Sequence, residues 1–298
     1  MGAARTAIRC PSGHSFDIAR EGYVNLTTGS PPRHGGDTAE MVDARAAFLA
    51  EGHMQPLAEA LASSVDLAEA PRLLLEVGSG TGYHLDFLRN RLSGTLGARL
   101  CAIGLDASKA AVRRAARKCP SSLFGVADVE AGIPVRDATA DLVLSVFAPR
   151  PVDGLKRVTR IGGMLVVAAA GEHHLERLRE RFDLLSVRPG KLEELQHRLA
   201  PEFELVSTDT LEYALELSPD ACRAAIMMGP NAWHRGTPPE PDAAITDLAS
   251  LLIGRFRRLD PRGYGWERPK APPSITTITN ATSRPVITSY PSGIEQTS

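Results

Sequence analysis

The chain has 298 residues, of which 43% are hydrophobic and 23% are charged, and its formal net charge is −1. This composition is typical of a globular protein with one large core or two smaller ones. The sequence contains no apolar run of about 18 residues and no basic start followed by an apolar stretch, so it predicts neither a membrane span nor a secretory signal. We therefore expect a cytoplasmic protein.

The charge is distributed unevenly along the chain. Residues 1–36 carry a net charge of +2 and residues 250–298 carry +4, which leaves −7 for residues 37–249. Of the 34 basic residues, 29 are arginine. Arginine favours bidentate contacts with phosphates and base edges, as a nucleic-acid partner would require. The codon usage of a GC-rich genome is the alternative cause of this bias.

The N-terminal stretch CPSGHSFDIAREGYVNL places His14 four residues after Cys10. Thiolate and imidazole are ligands that tetrahedral zinc prefers, but a structural site needs four ligands and no Cys-x-x-Cys precedes this pair. The loop TTGSPPRHGG follows and predicts a linker that closes a first module, residues 1–36. The other cysteines (Cys101, Cys119 and Cys222) are scattered, and we expect them to be free thiols in a reducing compartment.

Residues 37–254 are predicted to form the main domain. Asp37 followed by Glu40 resembles a capping box and predicts the start of a helix that ends at Gly52. A second helix is expected from Met54 to about Val65.

From residue 72 onward, apolar runs alternate with helical stretches. The runs are LLLEV, RLCAIGL, SLFGV, DLVLSV and GMLVVAAA, and they predict an α/β fold with a parallel, doubly wound sheet. The segment FELVSTDTLEYALEL predicts a further strand, and helices are expected near residues 173–182 and 221–227. Residues 255–298 are rich in Pro, Ser and Thr, with one weak alternation at residues 275–278, and are predicted to be a disordered or loosely attached tail.

A glycine-rich loop follows the first of these strands. Gly78, Gly80 and Gly82 allow a ligand to approach the backbone at the carboxyl end of the strand. A dinucleotide-binding fingerprint would need its third glycine at Tyr83, so the spacing does not fit that class. The G-x-G-x-G spacing, with Glu76 just ahead of it, resembles motif I of S-adenosylmethionine-dependent methyltransferases. A purely structural turn is the alternative.

Two further acids follow the next two strands. Asp106 ends the second strand, where a carboxylate can accept hydrogen bonds from both ribose hydroxyls, and Asp128 follows the third strand, where it can meet an adenine amine. A carboxylate at such a position is more often a helix cap, but Ser108 is better placed to cap the helix after Asp106. The sequence therefore predicts a nucleoside site formed by the glycine loop and these acids.

These residues belong to stretches that resemble the bacterial 23S rRNA guanine-N1 methyltransferases. The stretches are CPSGHSFDIAREGYVNL, DTAEMVDARAAFLAEGH, EVGSGTGYH, GLDASKAAVRRAAR, VFAPR and MGPNAWH. VFAPR and GTGYHL are more similar to the macrolide-resistance members, of the tylosin and mycinamicin type, than to the housekeeping ones. The resemblance covers about residues 9–235. It implies an N-terminal zinc-binding module, a Rossmann-like methyltransferase domain, homodimers, and a hairpin-loop guanine in domain II of the rRNA as substrate.

The resemblance also assigns cofactor contacts. Carried over to this sequence, they fall on Met54, on Gly80 and Thr81, and on His174. The alternative for Met54 is an ordinary core methionine. The alternative for His174 is an unremarkable surface or core histidine.

The loop after the strand DLVLSV is predicted to hold the substrate. Phe147 is expected to stack on a base taken out of the RNA loop, while Arg150 binds phosphate or polarises the guanine carbonyl oxygen. Alternatively, Phe147 is a core residue and Arg150 is solvated. Guanine N1 needs in-line placement beside the sulfonium more than a strong base, and no sequence feature selects a general base.

Two other functions share these features. A methyltransferase acting on a small natural product would use the same cofactor residues, although it would have no need of a basic N-terminal module. A degenerate fold that binds RNA without chemistry would not bind S-adenosylmethionine.

In the resembled family the zinc ligands are a Cys-x-x-Cys near the start and a following Cys-x-x-x-His, and here the second pair alone is present. Either the true start lies upstream, or the module has lost its metal and packs on the catalytic domain through its apolar residues (Phe16, Tyr23, Val24 and Leu26). In both cases the chain as given is expected to bind zinc poorly, because two ligands leave half of the coordination shell to water. The family's closing strand, after Trp233, is hard to find in the sequence.

Overall fold

The computed structural model describes residues 7–10, 13–27, 36–65, 71–96, 100–234, 240–260 and 275–279. The strands are β1 (Ala7–Arg9), β2 (Ser15–Asp17), β3 (Val24–Asn25), β4 (Leu73–Val77), β5 (Cys101–Asp106), β6 (Leu123–Val126), β7 (Ala140–Val146), β8 (Thr159–Ala170), β9 (Phe203–Leu217), β10 (Ile245–Arg258) and β11 (Ile275–Thr279). The helices are α1 (Ala39–Ala50), α2 (Gln55–Ser63), α3 (Tyr83–Leu96), α4 (Lys109–Lys118), α5 (Val152–Val158), α6 (Glu176–Phe182), α7 (Lys191–Leu199), α8 (Pro219–Met227) and α9 (Asn231–His234).

Nine of the described strands form one sheet, in the order β11-β9-β10-β8-β7-β4-β5-β6-β3. The strands from β3 to β8 run parallel, and β10 pairs antiparallel with both β8 and β9. The five predicted apolar runs are β4 to β8, so the prediction of a Rossmann-like α/β fold is confirmed. Because all of these strands are parallel, the loops that follow them meet at one edge of the sheet, where this architecture binds its ligands.

The closing strand was missed in the sequence. Strand β10 lies between β8 and β9 and continues to Arg258, beyond the predicted domain end at residue 254. The strand is difficult to recognise in the sequence because two buried polar residues, Asp247 and Ser250, interrupt its apolar pattern. Strand β11 pairs parallel with β9 in the segment that we expected to be a loose tail. The other predicted tail residues, 261–274 and 280–298, lie outside the described residues.

The N-cap of helix α1 lies one residue after Asp37, the predicted cap. Thr38 is the N-cap, and its hydroxyl accepts a hydrogen bond from the backbone N–H of Met41 at 3.3 Å. Asp37 instead forms an ion pair with Arg45, at 2.6 Å. The chain then turns at Gly52, where φ is +83°, and α2 ends at Ser63, two residues before the predicted end.

Apolar layers cover both faces of the sheet. On one face, α1 to α4 and α8 bury a cluster that includes Phe48, Leu57 and Leu88. On the other face, α5 and α7 bury a second cluster that includes Leu155, Leu195 and Phe256. Burial of apolar surface on both faces is the main contribution that holds a parallel sheet together.

The N-terminal segment is attached to the edge of the sheet. Strand β3 pairs with β6, and the backbone N–H of Leu26 donates to Val126 at 2.9 Å. Tyr23 is buried in the main core, and Glu21 forms an ion pair with Arg117 at 2.7 Å. Strand β3, which lies before the predicted boundary at residue 36, is therefore part of the main sheet.

Within the described part of the chain, no helix has the length and apolar character needed to cross a membrane.

Candidate active site

The glycine loop, Gly78–Gly82, connects β4 to α3 in a backbone conformation that favours glycine. The φ angles of Gly78, Gly80 and Gly82 are +72°, +52° and +75°. A Cβ atom on Gly78 would overlap the Cβ atom of Ala148, and one on Gly82 would lie 2.9 Å from the ring of Phe124. These glycines thus bring the loop close to its neighbours at the strand ends, and they place it directly beside the loop that follows β7.

Asp106 lies at the end of β5 and holds the glycine loop in place. Its Oδ2 atom accepts a hydrogen bond from the N–H of Gly80 at 2.8 Å, and its Oδ1 atom accepts one from Ser108 at 2.8 Å. Burial raises the pKa of Asp106, while these two hydrogen bonds act in the opposite direction. Each carboxylate oxygen has two acceptor sites, so both oxygens can still accept a bond from a ligand hydroxyl. As predicted, the side chain of Ser108 caps α4.

Glu76 lies beneath the glycine loop and is only 1% exposed. Its Oε2 atom accepts a hydrogen bond from the N–H of Leu85 in the first turn of α3, at 3.1 Å, and His84 Nδ1 lies 3.8 Å from Oε1. Burial raises the pKa of Glu76 to about 8. Glu76 thus supports the helix that follows the loop, and its predicted cofactor contact stays a prediction.

Asp128 follows β6 and stabilises a turn. Its Oδ1 atom accepts hydrogen bonds from the N–H groups of Glu130 and Ala131, at 3.1 and 3.3 Å. The structure places Asp128 near the same sheet edge as Asp106, because Ala127 donates its N–H to the carbonyl of Asp106. Its predicted adenine contact therefore stays a prediction.

Thr81 and Met54 differ in what surrounds them. Thr81 is 6% exposed within the glycine loop. Met54 is 2% exposed and belongs to the main apolar core, with the hydroxyl of Tyr213 lying 3.7 Å from its sulfur. The same hydroxyl donates to the carbonyl of His53 at 2.8 Å. Met54 is therefore buried in the core, and its predicted cofactor contact stays a prediction.

The β7 loop, Phe147–Arg150, lies directly beside the glycine loop, because Gly78 packs against Ala148, and we call the region where these two loops meet the cleft. Phe147 has a φ of +51°, which is rare for an aromatic residue, and its side chain is 42% exposed. It is therefore not a core residue, and its strained backbone is of the kind found at functional sites. The imidazole of His174 stacks near it, with ring centroids 6.3 Å apart and an interplanar angle of 18°.

His174 is neutral at physiological pH. Burial, followed by the charges of Arg179 and Lys191, lowers its pKa to about 4. Its Nδ1 atom is inaccessible to solvent and has no hydrogen-bond partner in the described part of the chain. An imidazole nitrogen in this state is able to hydrogen-bond a ligand.

Arg150 and Lys191 form a pair of neighbouring cations beside this ring pair. Burial, followed by the charges of Arg150 and Arg188, lowers the pKa of Lys191. Burial also lowers the pKa of Arg150, and Glu194 partly offsets the effect. Arg188 is neutralised by Glu194 at 2.5 Å, whereas neither Arg150 nor Lys191 has an ion pair among the residues that the structure describes. Arg150 is thus partly buried and not simply solvated.

Two residues of the site escaped the sequence analysis, Arg45 and Lys191. Arg45 had a signal: it lies four residues after Met41 and four before Leu49, so a charged side chain occupies the buried face of α1. Lys191 had none, because its neighbours in the site come from a different part of the chain.

The zinc ligands in the N-terminal segment are incomplete. Cys10 Sγ and His14 Nδ1 are 3.3 Å apart. No group of three or more His, Cys, Asp or Glu side chains with metal-binding geometry occurs among the described residues. In residues 1–36 the sequence has one further histidine, His34, outside the described residues. Two ligands do not fit a structural zinc site, which needs four.

The glycine loop, the acid after β5 and the parallel sheet define the chain as a Rossmann-like methyltransferase that uses S-adenosylmethionine. In agreement, residues 74–163 match a family model described as "Methyltransferase domain", and residues 2–28 match a zinc-ribbon model described as "RlmA, N-terminal". The chain belongs to the family of 23S rRNA (guanine-N1)-methyltransferases, as its curated relatives show.

A 23S rRNA (guanine(748)-N(1))-methyltransferase of Streptomyces fradiae is 41% identical over 247 residues, covering 82% of this chain and 85% of the relative. A protein of Micromonospora griseorubida, described as a candidate 23S rRNA guanine-N1 methyltransferase, is 40% identical over 274 residues, covering 84% and 90%. A Bacillus subtilis protein with a similar description is 32% identical over 184 residues, covering 60% and 63%.

Proposed function

We propose that this chain transfers the methyl group of S-adenosylmethionine to N1 of a hairpin-loop guanine in domain II of 23S rRNA, and that this methylation confers resistance to macrolides. The curated relatives support the class of substrate. The observation that carries the proposal is the β7 loop: the exposed side chain of Phe147, held at a left-handed φ, lies near Arg150 and Lys191, which have no ion pair among the described residues.

The cofactor side of the cleft holds the adenosyl group. Asp106 accepts hydrogen bonds from the ribose hydroxyls with the lone pairs that Gly80 and Ser108 leave free. The N–H groups of the glycine loop would hold the methionine end, and Asp128 would hold the adenine. When bound, S-adenosylmethionine supplies an electrophilic methyl group.

The substrate side holds the guanine. A base that has left the RNA stack needs a flat apolar surface, and the exposed ring of Phe147 offers one. The contact between Gly78 and Ala148 joins the two sides, so the base and the methyl donor are held next to each other. Placement of the reacting atoms next to each other lowers the barrier to such a transfer.

We propose no general base for the removal of the proton from guanine N1. His174 is close to Phe147, but its pKa of about 4 makes it a weak proton acceptor. Its ring is instead nearly parallel to that of Phe147, so we propose that His174 helps to orient the base that stacks there. The cofactor contact that the resemblance implies for His174 stays a prediction.

Arg150 and Lys191 are suited to bind an RNA phosphate. Two neighbouring cations in a partly buried site repel each other, and a phosphate between them removes this repulsion. Both groups also raise the local concentration of RNA at the cleft by electrostatic attraction.

We also propose that the protein acts in the cytoplasm and assembles as a homodimer, as the family resemblance implies. Light scattering after gel filtration distinguishes a dimer of 63.8 kDa from a monomer of 31.9 kDa.

Primer extension on rRNA tests the proposed reaction. Methylation at guanine N1 blocks reverse transcription, so rRNA from cells that express the chain should give a stop at one nucleotide in domain II. Cells that express Phe147→Ala should give a weaker stop, and Arg181→Gln, which alters a surface ion pair with Asp242 at 2.5 Å, should match the unmodified chain. A folded, cofactor-binding chain that produces no stop contradicts the proposal.

A further inference from the structure

Arg45 extends from α1 to the glycine loop. Its Cδ and Nε atoms would lie 3.6 and 4.0 Å from a Cβ atom built on Gly80, which is ordinary van der Waals distance. The N–H of the same glycine donates to Asp106. A cationic side chain of an N-terminal helix therefore covers the part of the loop that the ribose-binding acid holds in place.

Two hydrogen bonds fix the guanidinium group of Arg45. Its NH2 group donates to Asp37 Oδ2 at 2.6 Å and to the carbonyl oxygen of Met228 at 2.7 Å. These acceptors come from the segment before α1 and from the residue after α8. Contacts from two distant elements leave the side chain little freedom, so its remaining donors have fixed directions.

Three N–H donors of Arg45 remain. The Nε atom is inaccessible to solvent and has no partner in the described part of the chain, and NH1 makes no hydrogen bond with a described residue. A buried N–H of a charged group without a partner is unfavourable in the protein alone. A bound ligand with a carboxylate would satisfy the NH1 donors, because arginine and carboxylate match in geometry and charge.

Among the residues that the structure describes, the other ionisable groups around the loop do not provide a second cation. Burial, followed by the charge of Arg45, lowers the pKa of His84 to about 4, so this side chain is neutral. Asp37 and Asp106 are acids, and Glu76 is largely protonated at pH 7 because burial raises its pKa to about 8. Arg45 is thus a cation among acidic or neutral groups at the glycine loop.

From this geometry we infer that Arg45 binds the carboxylate of the methionine end of S-adenosylmethionine. The ligand has a single anionic group, this carboxylate, whereas its sulfonium, its amino group, its ribose and its adenine offer no negative charge. The inference rests on the proposed cofactor pocket. It adds a binding residue from α1 to a site that is otherwise built from strand ends.

The alternative is that Arg45 acts only as a clamp between Asp37 and Met228. A clamp would affect all adenosyl ligands equally, whereas a carboxylate ligand contact affects only those with an amino-acid end. Two ligands separate these cases. S-adenosylhomocysteine carries the amino-acid end, and 5′-methylthioadenosine lacks it but keeps the adenosyl group and the sulfur.

The test uses calorimetry to measure the affinities of the unmodified chain and of Arg45→Gln for S-adenosylhomocysteine and for 5′-methylthioadenosine. We expect Arg45→Gln to weaken S-adenosylhomocysteine binding about tenfold to a hundredfold, as for loss of a charged hydrogen bond, and to change 5′-methylthioadenosine binding less than about twofold. Equal losses for both ligands, or no loss for S-adenosylhomocysteine, overturn the inference. Binding of neither ligand by the unmodified chain would instead overturn the proposed cofactor pocket.

If Arg45→Gln does not fold, a chemically modified ligand tests the same inference on the unmodified chain. The carboxamide of S-adenosylhomocysteine removes the negative charge from the ligand, so the unmodified chain should bind it as weakly as Arg45→Gln binds the acid. Equal affinity of the unmodified chain for the acid and the amide overturns the inference. Asp37→Asn serves as the clamp control: it weakens one anchor of the guanidinium but keeps the cation, so it should lose less affinity than Arg45→Gln.

Discussion

The two sides of the cleft differ in how far their charged groups are paired within the protein. On the cofactor side, both oxygens of Asp106 accept backbone hydrogen bonds, and Glu76 is held by α3. On the substrate side, Phe147 is exposed at a left-handed φ, and Arg150 and Lys191 have no ion pair among the described residues. The first side is thus preorganised, and the second gains its partners when a polyanion binds.

This difference implies that the two sides can be damaged separately. Changes on the cofactor side should reduce affinity for adenosyl ligands, and changes on the substrate side should reduce RNA methylation at unchanged cofactor affinity. The exception is the point at which the two sides touch, Gly78 against Ala148.

The largest effect is expected for Gly78→Ala, because it acts at that contact. The added methyl group would overlap Ala148, at a φ of +72° where a side chain is already strained. We expect S-adenosylhomocysteine affinity to fall more than about a hundredfold, together with loss of RNA methylation. Calorimetry measures the first loss and tritium transfer to rRNA the second.

Gly94→Ala is the matched control. A Cβ atom at Gly94 meets no atom within 4 Å, in the exposed part of α3. Alanine in a helix is about 0.5–1 kcal/mol more favourable than glycine, so this variant should keep both activities and unfold at a slightly higher temperature. Equal damage by the two variants would contradict the steric explanation.

Phe147→Ala should act on the substrate side alone. Stacking of one base on an aromatic ring contributes about 1–3 kcal/mol, so RNA methylation at subsaturating RNA should fall about tenfold, with S-adenosylhomocysteine affinity unchanged. Phe147→Gly should show the same loss but a higher unfolding temperature than Phe147→Ala, because glycine relieves the φ of +51°. Normal methylation by both variants would remove Phe147 from the substrate site.

Arg150→Gln and Lys191→Gln should each weaken RNA binding by about one phosphate contact. The dependence of log affinity on log salt concentration should become less steep by about one unit for each variant. Lys156→Gln is the control, because Lys156 is paired with Glu202 at 2.8 Å, and its salt slope should not change. An unaltered slope for Arg150→Gln and Lys191→Gln would show that these cations do not contact phosphate.

The smallest effect is expected for Glu76→Gln, which alters the support of the cofactor side. The pKa of Glu76 is about 8 in the folded chain, against an ordinary value of 4.5. Because the folded state then binds more protons, stability of the unmodified chain falls as pH rises from about 4.5 to 8. Glutamine mimics the protonated acid, so the stability of the variant relative to the unmodified chain should increase from pH 5 to pH 8. Thermal unfolding at both pH values measures this gain, and a gain that does not grow with pH would contradict the raised pKa.

Part of this site was predictable because topology alone brings strand ends together. Once the apolar runs were read as parallel strands, the glycine loop, Asp106 and Phe147 had to meet at one edge of the sheet. The glycines and carboxylates of the loops were predictable for a second reason, because their spacing reflects local backbone requirements.

The rest depends on contacts between residues far apart in the chain. The hydroxyl of Tyr213 packs beside Met54, and this contact, absent from any local pattern, buries the methionine in the core. Strand β10 was hidden because Asp247 is buried there and accepts hydrogen bonds from the N–H groups of Arg177 and Leu178. Satisfied polar groups of this kind break an apolar pattern without breaking the strand.

The central claim is that the two sides of the cleft act separately. The most direct test compares Asp106→Ala with Phe147→Ala in two assays, S-adenosylhomocysteine binding and RNA methylation at saturating S-adenosylmethionine. Loss of a charged hydrogen-bond acceptor for the ribose costs about 1.5–3 kcal/mol. We therefore predict that Asp106→Ala binds the ligand about tenfold to a hundredfold more weakly but recovers most methylation at saturation, while Phe147→Ala binds it normally and stays slow. If both variants lose cofactor affinity and methylation to the same degree, the two sides do not act separately and the account is wrong.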